Sequence, residues 1–163
     1  MLDDLKLVKE LVYDKCGFDL TDLKQNLESV AYGACSFMLN GMKIEYRVSK
    51  TTPIKTGQFV TIWKRSREGI IEPFDISDDV DFIIITSKSP NNLGQFIFPK
   101  STLVDHGIIT GNGIIGNRGI RVYPPWDSVS NKQAEKTQSW QRKYFLTINN
   151  TTDLDLTKKL LQK

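Results

Sequence analysis

Residues 81–86 read DFIIIT, and this short apolar stretch decides the fold. The run lacks the alternation of apolar and polar side chains that a strand with one solvated face shows. An acidic segment precedes it and the turn-forming sequence SPNNLG follows it. A continuous apolar run of this length between two breaks is typical of a central strand whose two faces are both buried. The sequence therefore predicts a sheet whose central strand is covered on both sides.

Further strands are predicted on both sides of this run. Two lie within residues 36–50, and the others lie in residues 57–65, 94–98 and 120–123. The first two flank Asn40-Gly41, a dipeptide that tolerates the positive φ angles of a two-residue hairpin turn. In GQFVTIWKR (57–65), alternation places Trp63 on the same face as Phe59, which favours a core position for Trp63. The total is about seven short strands.

A helix and a second, shorter helix are predicted at the N-terminus. Five apolar residues share one helical stripe: Leu2, Leu5, Val8, Leu11 and Val12. Gly17 then supplies a stop. The second helix is predicted to begin after Asp19 or Thr21 and to run to about Ser29.

A C-terminal helix is predicted from about Asn131 to Phe145, with Ser130 as its N-cap. Trp140 and Tyr144 are four residues apart, so both are expected to dock this helix on the sheet. The tail is expected to add a final helical turn or two. Together these elements predict a single α+β domain over residues 1–163, with a largely antiparallel, strongly curved sheet or open barrel.

Charge is strongly segregated along the chain, although the net charge is only +3. Residues 36–67 carry seven Lys and Arg against one Glu, and residues 88–146 carry eight cations against three acids. Between them, residues 68–87 carry six acids and no cation. Two interpretations follow. The basic segments could form one positive face suited to a polyanion, or the acidic segment could fold over them and neutralise them.

Basic and aromatic residues recur together at the predicted strand ends. The candidate binding residues are Lys50, Lys55, Lys64, Arg65, Lys100, Arg121, Tyr123 and Trp126. Cations neutralise phosphates and release their counterions, while flat rings stack on unpaired bases. This pattern predicts a non-enzymatic protein that binds nucleic acid, either DNA or RNA.

Metal, cofactor and membrane functions receive no support from the residue types present. Cys16, Cys35 and the single histidine, His106, lack the close spacing of a structural zinc site, so we expect two free thiols and no metal or cofactor. Residues 99–107 (PKSTLVDHG) predict a short helix, with Pro99 at its first position and Gly107 as its stop. His106 comes just before this stop, which favours capping or solvent exposure over general-base chemistry. The acidic N-terminus lacks the features of a signal peptide, and no run is long enough to span a membrane. We expect a cytoplasmic protein.

Several phrases between residues 39 and 145 resemble, in order, the MepB-like family of small bacterial proteins. They are LNGMKIEYRVSK, TPIKTGQFVTIWKR, PFDISDDVDFIII, GQFIFPKSTLVDHGI, GIRVYPPWD and KQAEKTQSWQRKYF. The family takes its name from a member encoded beside a multidrug efflux pump, and the resemblance by itself assigns no reaction. An open barrel with basic strand ends also looks like the pseudobarrel DNA-recognition domains of some restriction enzymes and plant regulators, an analogy of fold alone.

Two alternative functions remain open. A metal-dependent nuclease of the PD-(D/E)XK type needs an Asp on one strand and Glu-x-Lys on the next. Asp81 suits the first position, but Gln95 stands where the second acid belongs and Lys100 lies too far along. Glu45-Tyr46-Arg47 likewise has no clear partner Asp upstream. The other alternative, suggested by the efflux-pump association, is an accessory protein that binds a small apolar or cationic molecule through rings such as Tyr123 and Trp126.

Overall fold

The computed structural model describes residues 1–26 and 29–163, which form eleven β-strands and four α-helices. The strands are β1 (Leu20–Gln25), β2 (Cys35–Leu39), β3 (Met42–Val48), β4 (Lys50–Thr51), β5 (Gln58–Thr61), β6 (Trp63–Arg65), β7 (Ile71–Pro73), β8 (Phe82–Ser89), β9 (Asn92–Pro99), β10 (Gly119–Val122) and β11 (Phe145–Thr147). The helices are α1 (Asp3–Val8), α2 (Lys100–Asp105), α3 (Lys132–Gln141) and α4 (Leu154–Leu160). A π-helical turn, Lys9–Tyr13, extends α1. The predicted α+β class is confirmed.

The central sheet has six strands in the order β1-β2-β3-β8-β9-β11. Its neighbours are antiparallel except β3 and β8, which run parallel. Every residue of β8 from Phe82 to Ser87 is buried. The prediction of a central strand with two buried faces is therefore confirmed. The hairpin at Asn40-Gly41 is also confirmed, because both residues have positive φ and Leu39 pairs with Met42.

Each face of the central sheet has its own hydrophobic cluster. Residues of β8 alternate between the two clusters, with Phe82 and Ile84 in the first and Ile83 and Ile85 in the second. The first cluster includes side chains of α1, its π-helical extension and the end of α4. The second includes side chains of α2, β5 and β10. The sheet is thus the middle layer of the fold.

A smaller sheet, β10-β5-β4, covers part of the second face, and β6 and β7 form a separate two-stranded ribbon. In the small sheet, Val60 and Val122 are fully buried in the second cluster. Phe59 and Arg121, which pair across β5 and β10, are half-buried on the opposite, outer face. β10, at the edge of this small sheet, contributes residues to the candidate site.

The second N-terminal helix was a wrong prediction where the chain is described, because Leu20–Gln25 forms an edge strand paired with β2. Residues 27–28 of the predicted helix lie outside the described residues. The register shifts between Thr21 and Lys24, and Asp22 has a φ of 56°. The irregularity leaves Leu20 and Leu23 half-buried against the first cluster. Apolar residues three apart imitate helical spacing, and a bulge produces that spacing in a strand.

The expected single curved sheet or open barrel of about seven strands was also wrong in its details. The described strands divide among three sheets, and these do not close into a barrel. The predicted strand of residues 57–65 is divided into β5 and β6, while β7 and β11, of three residues each, are too short for alternation to reveal them. Such strands exist only because tertiary packing aligns them with longer partners.

The C-terminal region contains the predicted helix in a shorter form, followed by β11 and α4. Asn131, rather than Ser130, caps α3, and its side chain accepts a hydrogen bond from the backbone N–H of Ala134 at 2.8 Å. The additional helical turns predicted for the tail are present as α4. Among the described helices, none has the length and apolar character needed to cross a membrane.

Candidate nucleic-acid interface

A large open cleft lies beside α3, with a volume of about 1130 Å³. We call it the α3 cleft. It is lined by α3, by β10, by part of the loop between β4 and β5, and by the segment after α2. Its ionisable and aromatic lining residues are Lys55, His106, Arg121, Tyr123, Lys132, Lys136 and Trp140. The described lining residues include no Asp or Glu.

Gln141 joins the two walls of the cleft. Its side chain is buried, and its Oε1 accepts a hydrogen bond from the backbone N–H of Tyr123 at 2.9 Å. Its Nε2 donates to the carbonyl oxygen of Arg121 at 3.1 Å. The amide thus satisfies two backbone groups at the end of β10, which holds α3 at a defined distance from the small sheet.

The loop between β4 and β5 is held against β10 by Arg121 and Gly57. Arg121 Nη1 donates to Thr52 Oγ1 at 3.0 Å and to the carbonyl oxygen of Thr56 at 3.3 Å. Gly57 has a φ of +85°, and a Cβ atom there would lie 2.7 Å from the Tyr123 ring. Only glycine lets the loop pass this close to the ring. The loop thereby brings Lys55 to the cleft.

Helix α3 supplies Lys132, Lys136 and Trp140 to the same wall. A spacing of four residues places them on one face of the helix. Both lysines are exposed. The candidate residues predicted from the sequence were those at the strand ends, so Lys132 and Lys136 were missed. The four-residue spacing of these three was the signal that would have added them.

His106 and Trp140 form a parallel stack at the cleft. Their ring centroids are 3.8 Å apart and their planes differ by 9°. His106 is the C-cap residue of α2 and is exposed, as the sequence predicted. Trp140 is half-buried and also packs on Phe98 of β9, with centroids 5.4 Å apart. Tyr144 contacts Phe98 as well, so the predicted docking of this helix on the sheet is confirmed.

Lys64 and Lys100 lie elsewhere, against the acidic segment that precedes β8. Lys64 Nζ lies 2.6 Å from Asp78 Oδ1. Lys100 Nζ donates to the carbonyl oxygens of Ile76 at 3.0 Å and Asp78 at 2.9 Å. Of the two interpretations of the charge pattern, neutralisation by the acidic segment is the correct one for Lys64, whereas Lys100 contacts backbone carbonyl oxygens of the same segment. We call this region the acidic-segment face, defined by Lys64, Lys100, Glu72 and Asp78.

The ion pair affects the titration of Lys64. Partial burial by itself lowers the pKa of Lys64, but the hydrogen bond and negative charge of Asp78, helped by Glu72, outweigh it and raise the pKa above its ordinary value. The charged form of Lys64 is therefore stabilised by neighbours in the same chain.

Arg65 and Trp63 lie on the ribbon formed by β6 and β7. Arg65 Nη1 donates to the carbonyl oxygen of Gly69 at 2.7 Å, and its guanidinium lies 5.5 Å from the Trp63 ring centroid. Trp63 is half-buried and belongs to neither of the two clusters found among the described residues, so its predicted core position is wrong. The alternation along 59–63 is correct, but Val60 and Ile62 face the core instead. A pattern with apolar residues on both faces does not say which face is buried.

Lys50 and Trp126 are separated from both groups. Lys50 is exposed on β4, pairs with Phe59, and has its Nζ 5.0 Å from the Tyr32 ring centroid. Trp126 packs edge-on against Phe145 at 5.7 Å and is partly buried in the second cluster. The structure thus brings Lys55, Arg121 and Tyr123 together at the α3 cleft, and it does not bring the other five candidates there.

Asp81 and Gln95, the two positions considered for a nuclease site, make contacts within the fold. Asp81 Oδ2 accepts the backbone N–H of Lys43 at 2.8 Å and lies 3.3 Å from Lys163 Nζ. Gln95 accepts from the hydroxyl of Tyr13 at 2.7 Å and donates to Thr86 Oγ1 at 3.1 Å in the buried sheet. Among the residues the structure describes, no group of three or more His, Cys, Asp or Glu side chains is placed to hold a metal ion. Cys16 and Cys35 are both free thiols.

Comparison with known proteins agrees with the sequence resemblance. A family model described as MepB-like matches residues 26–147. The chain belongs to the MepB-like family. The crystal structure of MepB aligns with it at a TM-score of 0.78 and 32% sequence identity, covering 90% of this chain and 97% of that chain. A search of curated proteins returned no match. All lining residues of the α3 cleft fall within the MepB-like match.

Proposed function

We propose that this MepB-like protein binds nucleic acid in the α3 cleft. The observation that carries the proposal is the lining of the cleft, which combines cations on three structural elements with aromatic rings. Lys132 and Lys136 come from α3, Arg121 comes from β10, and Lys55 comes from the loop after β4. A phosphate backbone is neutralised by cations spread along a groove, and its unpaired bases stack on flat side chains.

The cleft cations are not paired with carboxylates of the described chain. Within residues 1–26 and 29–163, none of Lys55, Arg121, Lys132 and Lys136 forms an ion pair with a carboxylate. Four cations with no carboxylate among the described lining residues create a local positive potential. A polyanion gains from such a potential without first having to displace an internal carboxylate.

The open form of the cleft favours a polymer over a small molecule. Pockets for small molecules typically surround most of the ligand. The α3 cleft, with a volume of about 1130 Å³, is open to solvent. This observation supports nucleic acid over the accessory role in binding a small apolar or cationic compound.

The proposed contact residues therefore differ from the candidates chosen from the strand ends. Lys55, Arg121 and Tyr123 remain, and Lys132 and Lys136 join them. Lys50 stays a candidate at the periphery, because it lies in the same cross-strand row as Phe59 and Arg121 on the small sheet. The proposal does not require Lys64 or Lys100, whose charges are directed toward the acidic segment.

Fluorescence anisotropy with labelled single-stranded and double-stranded oligonucleotides, measured at several salt concentrations, tests the proposal. We expect log K for the wild type to fall linearly with log salt, by about 0.7 to 0.9 per phosphate neutralised. The double variant Lys132→Ala/Lys136→Ala should bind every sequence more weakly and flatten the slope by about two units, because each lysine contributes about one.

Two double variants serve as controls. Lys158→Ala/Lys159→Ala removes the same charge from exposed positions on α4, and Lys64→Ala/Lys100→Ala removes it from the acidic-segment face. Both should keep the affinity and slope of the wild type. Equal losses in all three variants would assign the effect to net charge alone, and a wild type that binds no oligonucleotide at low salt would disprove the proposal. A parallel incubation with Mg²⁺ detects cleavage and so tests the nuclease alternative.

A further inference from the structure

The stack of His106 on Trp140 has no evident structural purpose. Trp140 already packs on Phe98, which is fully buried in β9. His106, by contrast, is exposed, and its backbone N–H completes α2 by donating to the carbonyl oxygen of Thr102 at 3.0 Å. The docking of α3 and the end of α2 are therefore explained without the imidazole ring. What the ring adds is a flat surface at the cleft.

The geometry of the pair is that of an ordered stack. A centroid separation of 3.8 Å and an interplanar angle of 9° place the two rings in near-parallel van der Waals contact. Because Phe98 holds Trp140, the indole in turn holds the imidazole in one orientation. A ring that is ordered before binding loses little entropy when a ligand stacks on it.

We infer that His106 is a stacking platform for an unpaired base, and that the α3 cleft takes single-stranded nucleic acid; this inference rests on the function proposed above. Histidine is among the side chains on which splayed-out bases stack. Lys55, Arg121, Lys132 and Lys136 line the same cleft and would contact the phosphates on either side of the stacked base. In a duplex the faces of the bases are already stacked on each other, so a duplex cannot use this platform.

The test compares two substitutions at one position. His106→Ala removes the ring, and His106→Phe keeps a flat ring without the imidazole nitrogens. For a labelled single-stranded oligonucleotide, His106→Ala should weaken binding by about 5- to 150-fold, the range measured when one base–aromatic stack is lost. His106→Phe should stay close to the wild type. Thermal unfolding of both variants checks that the fold is intact, as expected for an exposed side chain.

An abasic oligonucleotide and a duplex separate stacking from charge. The abasic strand keeps the phosphates but has no bases, so the wild type and His106→Ala should bind it equally, and the same should hold for a duplex. If His106→Ala binds the normal single strand as tightly as the wild type, or if His106→Phe is as weak as His106→Ala, the stacking inference is wrong while the proposed function stands. If the wild type binds none of these oligonucleotides, the proposed function itself fails.

Discussion

The acidic-segment face and the α3 cleft both contain two or more lysines, yet the surroundings of these lysines differ. On the acidic-segment face, Lys64 lies 2.6 Å from Asp78 and 3.5 Å from Glu72. Lys132 and Lys136 line the α3 cleft together with Lys55 and Arg121, and the described lining contains no carboxylate. A cluster of basic residues in a sequence therefore does not predict a basic surface. The elements that fold against the cluster decide it.

The largest expected difference in stability is between Trp140 at the α3 cleft and Trp63, which precedes Lys64 on β6. Trp140→Ala should lower the free energy of unfolding by about 3 kcal/mol, because Trp140 packs on buried Phe98. This value is at the lower end of the range for removing a core aromatic ring, since Trp140 is only half-buried itself. Trp63→Ala should cost about 1 kcal/mol, since Trp63 is half-buried on the two-stranded ribbon. Urea denaturation followed by circular dichroism measures both values. Equal costs would show that the ribbon contributes as much to the core as α3 does.

A second comparison of stability uses two glycines with similar backbone conformations, one at the α3 cleft and one on the ribbon of β6 and β7. Gly57 at the cleft has a φ of +85° and Gly69 on the ribbon has a φ of +81°. Each alanine substitution should cost about 1 to 2 kcal/mol for the left-handed backbone. Gly57→Ala should cost about 1 to 3 kcal/mol more, because its Cβ would overlap the Tyr123 ring, whereas a Cβ at Gly69 meets nothing within 4 Å. Unfolding free energies of the two variants in the same buffer give the difference, and similar values would mean that the loop and ring move apart freely.

The smallest expected difference concerns single lysines and depends on pH. Lys64→Met should lower stability at neutral pH by about 0.5 to 1 kcal/mol, because it removes the ion pair with Asp78. Lys136→Met on the exposed face of α3 should change stability by no more than about 0.5 kcal/mol. Since the folded pKa of Lys64 is raised, the contribution of its charge is fully present below the ordinary lysine pKa of about 10.4 and is lost as the pH rises through the raised value.

Unfolding measurements for wild type and Lys64→Met at neutral pH and in strong alkali check this dependence. The difference in unfolding free energy between the two proteins should disappear only in alkali. A difference that is constant with pH would assign the loss of stability to the packing of the lysine side chain instead of its charge.

Patterns within single segments predicted much of the fold. DFIIIT indicated the doubly buried β8, and Asn40-Gly41 indicated the hairpin between β2 and β3. The prediction failed at β1, where a bulge imitates helical spacing, and at β7 and β11, which have three residues each. These elements depend on pairing with distant residues, which a local pattern does not record.

The candidate site was predicted only in part for the same reason. Lys55, Arg121 and Tyr123 were chosen as basic or aromatic residues near strand ends, and all three line the α3 cleft. Lys64 and Lys100 were chosen by the same rule, but Asp78 lies beside both. His106 was correctly expected at a helix end, whereas its stack on Trp140 joins residues 34 positions apart and has no signature in either segment.

By itself, the sequence determined the α+β class, the central buried strand, the hairpin and the family, because each rests on residues close together in the chain or on whole phrases in order. Only the tertiary structure decided which face of β5 is buried, which lysines the acidic segment neutralises and which rings stack at the cleft. Those outcomes depend on distances between side chains far apart in sequence. Electrostatic and van der Waals energies fall off with distance through space, and spacing along the chain does not report that distance.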